Sequence, residues 1–175
     1  LKRTLTPVIK GIKTNDVLFF GGDFAISDSE QIWVRTALQL HNQHNLILVG
    51  EKTVLYNYKT KKTTVQDHLN DVKDVAQLID NRLVFITIDK LLVCDPVSLD
   101  INREVPVIIS IGSQFIAPVR NYLAIRANDK IQILETKNFN SLRILDGHPN
   151  ATMTSLLGLE NGTLASSAFD NTVKI

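Results

Sequence analysis

The sequence predicts an all-β fold built from about four repeated units, and the pattern and the spacing of four segments support this prediction. Each segment has an Asn, an alternating apolar run, an acid followed by a polar residue, and a second alternating run. The acids are Glu51, Asp89, Asp129 and Asp170, separated by 38, 40 and 41 residues. Apolar side chains alternate with a period of two within the runs, which is typical of strands and not of helices.

A repeat of about 40 residues is the length of one blade of a β-propeller. Each unit has room for four strands: one before the Asn, two around the acid and one after. Asp16, 35 residues before Glu51, indicates the end of a still earlier unit. We therefore interpret residues 1–175 as part of a propeller, with partial units at both ends. The predicted units are 1–30, 31–69, 70–103, 104–145 and 146–175.

The fourth of these units shows its strands most fully. The predicted strands are PVIISIG (106–112), YLAIRA (122–127), KIQILE (130–135) and SLRIL (141–145). The pairs Asp129-Lys130 and Asp170-Asn171 predict tight turns, because short polar side chains bond back to nearby backbone amides. The segment 71–80 also fits the spacing of a short helix. We predict a strand there, because it occupies the place in its unit that PVIISIG occupies in the next.

Residues 141–175 resemble a WD repeat. They contain the Gly147-His148 pair, the alternating run MTSLLGL and the segment NGTLASSAFDNTVKI, whereas the upstream units keep only the Asn, the alternation and the acid. The resemblance implies a ring of four-stranded antiparallel blades, of which this chain covers about four. It also implies a structural hydrogen-bond network of His148, Ser166 and Asp170.

Charge and cysteine content restrict the class of protein. Lysine and arginine number 19 and aspartate and glutamate 18, so no global field attracts nucleic acid or an anionic membrane. The single cysteine, Cys94, has no partner for an internal disulfide, which favours a reducing compartment. No apolar run reaches the roughly 20 residues that cross a bilayer. We expect a cytoplasmic or nuclear protein.

Metal, cofactor and catalytic patterns are weak. His41 with His44, and Asp67 with His68, lack third and fourth ligands at useful spacing, so we expect no metal and no cofactor. The three residue types of a hydrolase triad are present in the predicted network. However, Ser166 lacks the Gly-x-Ser-x-Gly elbow that exposes a nucleophile. We therefore predict that the chain is not an enzyme.

The leading functional hypothesis is a non-catalytic protein-interaction scaffold that binds a peptide or protein on one propeller face. It would act as a substrate-recognition or assembly subunit of a larger complex. The resemblance implies that residues directly before the turn acid face the partner, and these are Phe169, Asn128 and Ile88.

Two alternatives come from other classes of function. One is a propeller-based enzyme with a site in the central channel. The other is a propeller that binds nucleic acid or phosphoinositide through exposed cations. The candidate cations are Arg120, Arg126, Lys130, Lys137 and Arg143.

Overall fold

Every regular element in the described part of the chain is a β-strand. The structure is a computed structural model, and it describes residues 17–18, 22–25, 31–41, 44–107, 115–127 and 129–175. The strands form four antiparallel sheets. Within the described residues no helix is both long and apolar enough to cross a membrane.

The first sheet contains six strands. They are β1 (Val17–Leu18), β2 (Gly22–Ala25), β3 (Gln31–Gln39), β4 (Asn45–Gly50), β5 (Thr53–Asn57) and β6 (Lys62–Val65). One edge of β3 pairs with β4, and its other edge pairs with both β1 and β2. The sequence predicted that the segment around Asp16 ends a separate unit. The described strands of that segment instead extend the first sheet, where they cover the free edge of β3.

The second and third sheets have four strands each, paired in chain order. The second contains β7 (Asp74–Gln77), β8 (Leu83–Ile86), β9 (Lys90–Cys94) and β10 (Ile101–Pro106). The third contains β11 (Ile116–Val119), β12 (Tyr122–Ala127), β13 (Lys130–Glu135) and β14 (Ser141–Asp146). The fourth sheet has three described strands: β15 (Met153–Gly158), β16 (Leu164–Ala168) and β17 (Val173–Lys174).

The sheets are arranged as propeller blades. Strand β3 contacts β7, β7 contacts β11, and β11 contacts β15, so β3 and the first strands of the other three sheets lie in one row. The last strands, β6, β10 and β14, lie outermost. All four residues of β7 are buried, whereas most of β10 and β14 is exposed. The predicted fold class, four antiparallel blades of a β-propeller, is confirmed.

Apolar packing between neighbouring sheets holds the blades together. In β8, Leu83 and Phe85 pack toward the first sheet, while Val84 and Ile86 pack toward the third. Successive side chains of a strand point to opposite faces, so a blade with neighbours on both sides buries every residue of its central strands. This is why LVFI reads as a continuous apolar run.

The strand predicted at 106–112 was wrong, and the strand predicted within 71–80 was confirmed. Pro106 is the last residue of β10, and the first strand of the third sheet is β11, so PVIISIG is not that strand. Residues 108–112 of this run lie outside the described residues. The run is apolar except at Ser110, and periodicity alone could not separate the end of one blade from the start of the next. Segment 71–80 contains β7 and is a strand, as predicted.

Arginines add polar links between blades. Four guanidinium groups each donate a hydrogen bond to a backbone carbonyl of the following blade, in a strand, in a connection between its strands or in the connection that enters it. The bonds are Arg35 to Val72 at 3.1 Å, Arg82 to Thr136 at 2.7 Å, Arg120 to Asn161 at 2.9 Å and Arg126 to Met153 at 2.5 Å. A hydrogen bond to a charged group is worth about 1.5–3 kcal/mol, and less where water competes for it, as at the exposed bond from Arg120 to Asn161. These bonds therefore fix the relative position of neighbouring sheets.

A buried carboxylate links the second and third sheets. Asp74 lies on β7, and its Oδ2 accepts hydrogen bonds from the backbone N–H groups of Phe115 at 2.8 Å and Ile116 at 3.3 Å. Its Oδ1 accepts one from the N–H of Val75 at 2.9 Å. Burial raises the pKa of Asp74 to about 6, against the lowering effect of these three donors.

We expect Asp74→Asn to remove a pH-dependent part of the free energy of unfolding. The folded-state pKa is about 6 and the ordinary value 3.8, so the folded state keeps a proton that the unfolded state has released. The contribution of Asp74 is therefore most favourable below about pH 4 and declines as the pH rises through about 6. Denaturant titrations of the intact protein should show the wild-type minus variant difference falling by on the order of 2 kcal/mol from about pH 4 to about pH 7.

Asp95→Asn is the matched control. Asp95 accepts hydrogen bonds from the N–H groups of Ser98 and Val97, which lower its pKa. Its stabilising contribution is lost only as the pH falls below the ordinary value, so its difference should not decline over the same range. A constant difference for Asp74→Asn would contradict the effect assigned to burial.

Candidate protein-binding face

The connections between strands lie on two opposite faces. One end of the strands carries the hairpins β4–β5, β8–β9, β12–β13 and β16–β17, together with the connections that enter the next sheet. We call this end the upper face. The lower face carries the connections between first and second strands and between third and fourth strands. Connections on a rigid sheet scaffold are the usual location of binding residues.

His148 is the centre of a hydrogen-bond network beneath the upper face. It lies on the connection between β14 and β15 and is 0% exposed. Its Nδ1–H donates to Asp170 Oδ2 at 2.9 Å, and its Nε2 accepts from the hydroxyl of Ser166 at 3.0 Å. Both ring nitrogens thus have partners, which allows a neutral imidazole to be buried at low cost. The structure brings together all three residues that the resemblance to a WD repeat implied.

Gly147 allows His148 to reach this position. A Cβ atom at Gly147 would lie 2.7 Å from the carbonyl oxygen of Asp129 and 3.0 Å from the sulfur of Met153. The backbone N–H of His148 donates to that same carbonyl at 3.1 Å. A side chain at position 147 would push the connection away from the hairpin, so the Gly-His pair is explained by packing.

Thr172 is a member of the network that the sequence analysis missed. Its hydroxyl donates to Asp170 Oδ1 at 2.8 Å and lies 3.2 Å from His148 Nδ1. The spacing Asp-x-Thr is itself a turn signal, because an aspartate oxygen accepts bonds from the residue two positions later. The same spacing occurs at Asn161 and Thr163, where the hydroxyl donates to the amide oxygen at 2.6 Å. This local pattern could have identified Thr172.

The network connects its Ser, His and Asp in the same order as a hydrolase triad. However, His148 and Ser166 are buried as deeply as residues of the structural core. Ser166 is buried in the middle of β16, and His148 is fully buried beside it. A nucleophile must meet its substrate, and Ser166 is only 5% exposed. The hydrogen bond from His148, with a smaller contribution from Thr172, lowers the pKa of Asp170 to about 2. A stabilised carboxylate of this kind anchors the hairpin between β16 and β17.

Two of the three predicted binding residues are exposed apolar side chains on the upper face. Ile88 is 58% exposed in the hairpin of the second sheet, and Phe169 is 75% exposed in the hairpin of the fourth. Each directly precedes its turn acid. The third sheet lies between them, so they mark two separate points on one face. Asn128, the third predicted residue, lies outside the described residues.

The hairpin at Ile88 is fixed by its own polar groups. The Thr87 hydroxyl donates to Asp89 Oδ1 at 2.8 Å, and the N–H of Lys90 donates to the Thr87 hydroxyl at 3.2 Å. The carbonyl of Asp89 accepts from the N–H of Val107 at 2.8 Å. Ile88 therefore lies in a turn that is held by hydrogen bonds within the turn and by one from Val107.

The hairpin at Phe169 is fixed in a similar way. The N–H of Phe169 donates to the carbonyl of Thr152 at 3.1 Å, and the N–H of Thr172 donates to Asp170 Oδ1 at 3.0 Å. A rigid turn holds an exposed aromatic ring in one place, which lowers the entropy lost when a partner binds it.

The cations proposed for nucleic-acid or phosphoinositide binding do not form one exposed surface. Arg126 was wrong as a surface cation, because it is fully buried, with its guanidinium 5.2 Å from the ring centre of Phe115. It lies on a central strand whose two faces are both covered. Arg120 donates to Asn161 on the lower face, while Lys130 lies 3.9 Å from Asp146 at the upper end of the third sheet.

Two of the candidate metal ligands, His44 and His68, have hydrogen-bond partners within the protein. His68 Nε2–H donates to the carbonyl of Leu99 at 2.9 Å, and His44 Nδ1 lies 3.2 Å from the hydroxyl of Tyr58. Across the described ranges, no group of three His, Cys, Asp or Glu side chains is placed to hold a metal ion. Burial raises the pKa of the Cys94 thiol to about 12, so it stays protonated at neutral pH.

Comparison with solved structures shows the propeller fold. The β-propeller domain of Cps50 (Swd1) from Myceliophteria thermophila is 13% identical, with a TM-score of 0.59 over 77% of this chain and 49% of that domain. BamB from Moraxella catarrhalis is 16% identical, with a TM-score of 0.63 over 86% of this chain and 46% of its own. KlHsv2 with loop 6CD replaced by a Gly-Ser linker is 19% identical, with a TM-score of 0.51 over 72% and 42%.

The likeness at these identities shows the fold alone. This chain spans about half the length of the solved structures that it matches. No family model matches the sequence, and no curated protein matches it significantly. The four sheets and these structural matches identify a β-propeller fold.

We expect His148→Ala to raise the pKa of Asp170 from about 2 toward its ordinary value of 3.8, because the largest cause of the lowering is the hydrogen bond from His148. The measurement is a carbon NMR titration of the Asp170 carboxyl group in the intact protein. Thr172→Val should raise this pKa less, because the hydroxyl of Thr172 is a smaller cause. An unchanged pKa in His148→Ala would show that the imidazole does not hold Asp170 in its ionised form.

Proposed function

We propose that this chain is a propeller of WD-repeat type that binds protein partners through its upper face and catalyses no reaction. The observation that carries the proposal is the exposure of Ile88 and Phe169 at equivalent positions of two hairpins on that face. Large apolar side chains held in water at fixed positions favour contact with another macromolecule. Aromatic anchors supply much of the binding energy in protein interfaces.

The WD-repeat assignment is supported by the geometry of the fourth sheet. His148, Ser166 and Asp170 form a connected chain of hydrogen bonds, and Gly147 makes room for it. The network links the connection, the second strand and the hairpin of one blade. Its role is to hold the Phe169 hairpin in a fixed position relative to the blade.

The non-catalytic role is supported by how the polar groups of the blades are used. Asp74 accepts backbone hydrogen bonds, Arg126 donates to a backbone carbonyl, and His148 is enclosed by partners. Each of these three side chains is almost fully buried and is hydrogen-bonded to another part of the fold. We propose that the partner is a folded protein or a peptide, and that this chain is a recognition or assembly subunit within a larger complex.

We expect Ile88→Ala and Phe169→Ala each to weaken partner binding at least tenfold, the scale of loss when an interface anchor is truncated. The matched control is Val97→Ala, because Val97 is also an exposed apolar residue, at 76%, but lies on the lower face. A photo-crosslinking residue at position 88 or 169 of the intact protein should capture the same partner from an extract of the organism that makes this protein. The same residue at position 97 should not.

The upper-face proposal is wrong if position 97 captures the partner and positions 88 and 169 do not. A turnover screen that detects an activity lost on Ser166→Ala, with the fold retained by circular dichroism, would overturn the non-catalytic role.

A further inference from the structure

A cavity of about 390 Å³ opens beside Ile88 and extends along the outer strands of the second sheet as far as Ile101. One wall comes from the connection that enters the second sheet and includes His68 and Asp71. The other comes from the hairpin and the two outer strands of that sheet, β9 and β10. Its volume lies within the range of pockets that bind small ligands or side chains. The cavity is therefore built by two separate parts of the chain.

The cavity has an apolar part. Leu92 and Ile101 line it, and both also belong to the packed region between the first and second sheets. Glu104 pairs directly with Leu92 across the two strands, so their side chains lie on the same face of the sheet. This one cross-strand pair therefore contributes both an aliphatic and a charged side chain to the wall.

The charged part of the lining is mainly acidic. Asp71, Asp89 and Glu104 contribute three carboxylates, and Lys90 contributes one ammonium group. Lys90 Nζ donates to Glu104 Oε2 at 2.9 Å, so this cation is held at one wall by its own salt bridge. The hydroxyl of Thr87 orients Asp89 at 2.8 Å. The lining keeps an excess of negative charge after the Lys90 pair is formed.

These properties point to one type of occupant. A ligand that is only apolar would take the carboxylates out of water without compensation, and an anion would be repelled. A long aliphatic stem with a positive head matches both parts of the lining. Lysine and arginine side chains have this form, and arginine also bonds carboxylates through two parallel N–H groups.

We propose that this cavity binds a basic side chain, lysine or arginine, of the protein that docks on the upper face. The inference rests on the proposed function and specifies the chemistry of the partner next to Ile88. The carboxylates of Asp71 and Asp89 contact the positive head, and Leu92 and Ile101 pack against the aliphatic stem.

The test uses two tripeptide amides as probes, acetyl-Gly-Arg-Gly and the same peptide with citrulline in place of arginine. Citrulline has nearly the same shape and no charge. Titration of the intact protein, followed by methyl NMR, should give saturable shifts of Ile88 and Leu92 with the arginine peptide. Binding of the citrulline peptide should be at least tenfold weaker.

Asp71→Asn should weaken binding of the arginine peptide about tenfold, because it removes one carboxylate from the lining. Asp71 has a φ of 57°, and asparagine adopts this left-handed conformation readily, so the backbone is preserved. Asp89→Asn is the second variant. Glu160→Gln, which removes an exposed acid on the lower face, should leave binding unchanged.

Three outcomes would overturn the cavity proposal: no saturable shifts at millimolar peptide, equal binding of the two peptides, or unchanged binding in both Asp71→Asn and Asp89→Asn. Its failure is distinguishable from failure of the proposed function. If partner crosslinks at position 169 persist while the peptides do not bind, the cavity proposal is wrong and the upper face still binds a partner. If the peptides bind and the crosslinks are absent, the cavity is a basic side-chain site without the proposed interface.

Discussion

Packing of each sheet against its neighbours is the constraint on which the rest of the structure depends. The central strands of the second sheet carry apolar residues on both faces, so this sheet alone would expose two apolar surfaces to water. Leu83 and Phe85 require the first sheet, and Val84 and Ile86 require the third. Stability is therefore shared among blades, and the hairpins at the upper face gain their rigidity from this packing.

Polar contacts give this stack a fixed register. Apolar packing is non-directional, whereas the bond from Arg126 to Met153 and the bonds from Phe115 and Ile116 to Asp74 each permit one arrangement of neighbouring sheets. A buried carboxylate or guanidinium without partners would destabilise the fold, so these groups select the native arrangement over displaced ones. The upper face is thereby a rigid surface on which Ile88, Phe169 and the adjoining cavity keep their positions.

Features that short sequence patterns encode could be predicted from the sequence. Features that depend on contacts between blades could not. The repeat of acids identified the hairpins, and the Gly147-His148 pair identified the hydrogen-bond network. The apolar run after Pro106 misled the strand assignment, because its sequence pattern does not mark where β10 ends or where the third sheet begins. The buried position of Arg126 follows from the neighbouring sheet, which no local pattern encodes. The cavity beside Ile88 was also missed, since it joins residues from two blade segments.

Hydrogen–deuterium exchange of the intact protein, with and without its bound partner, shows which face the partner covers. We expect the partner to protect the hairpins at 87–90 and 169–172, while the lower-face connections at 95–100 and 136–140 exchange as before. Protection confined to the lower-face connections, with the two hairpins unchanged, would contradict binding through the upper face.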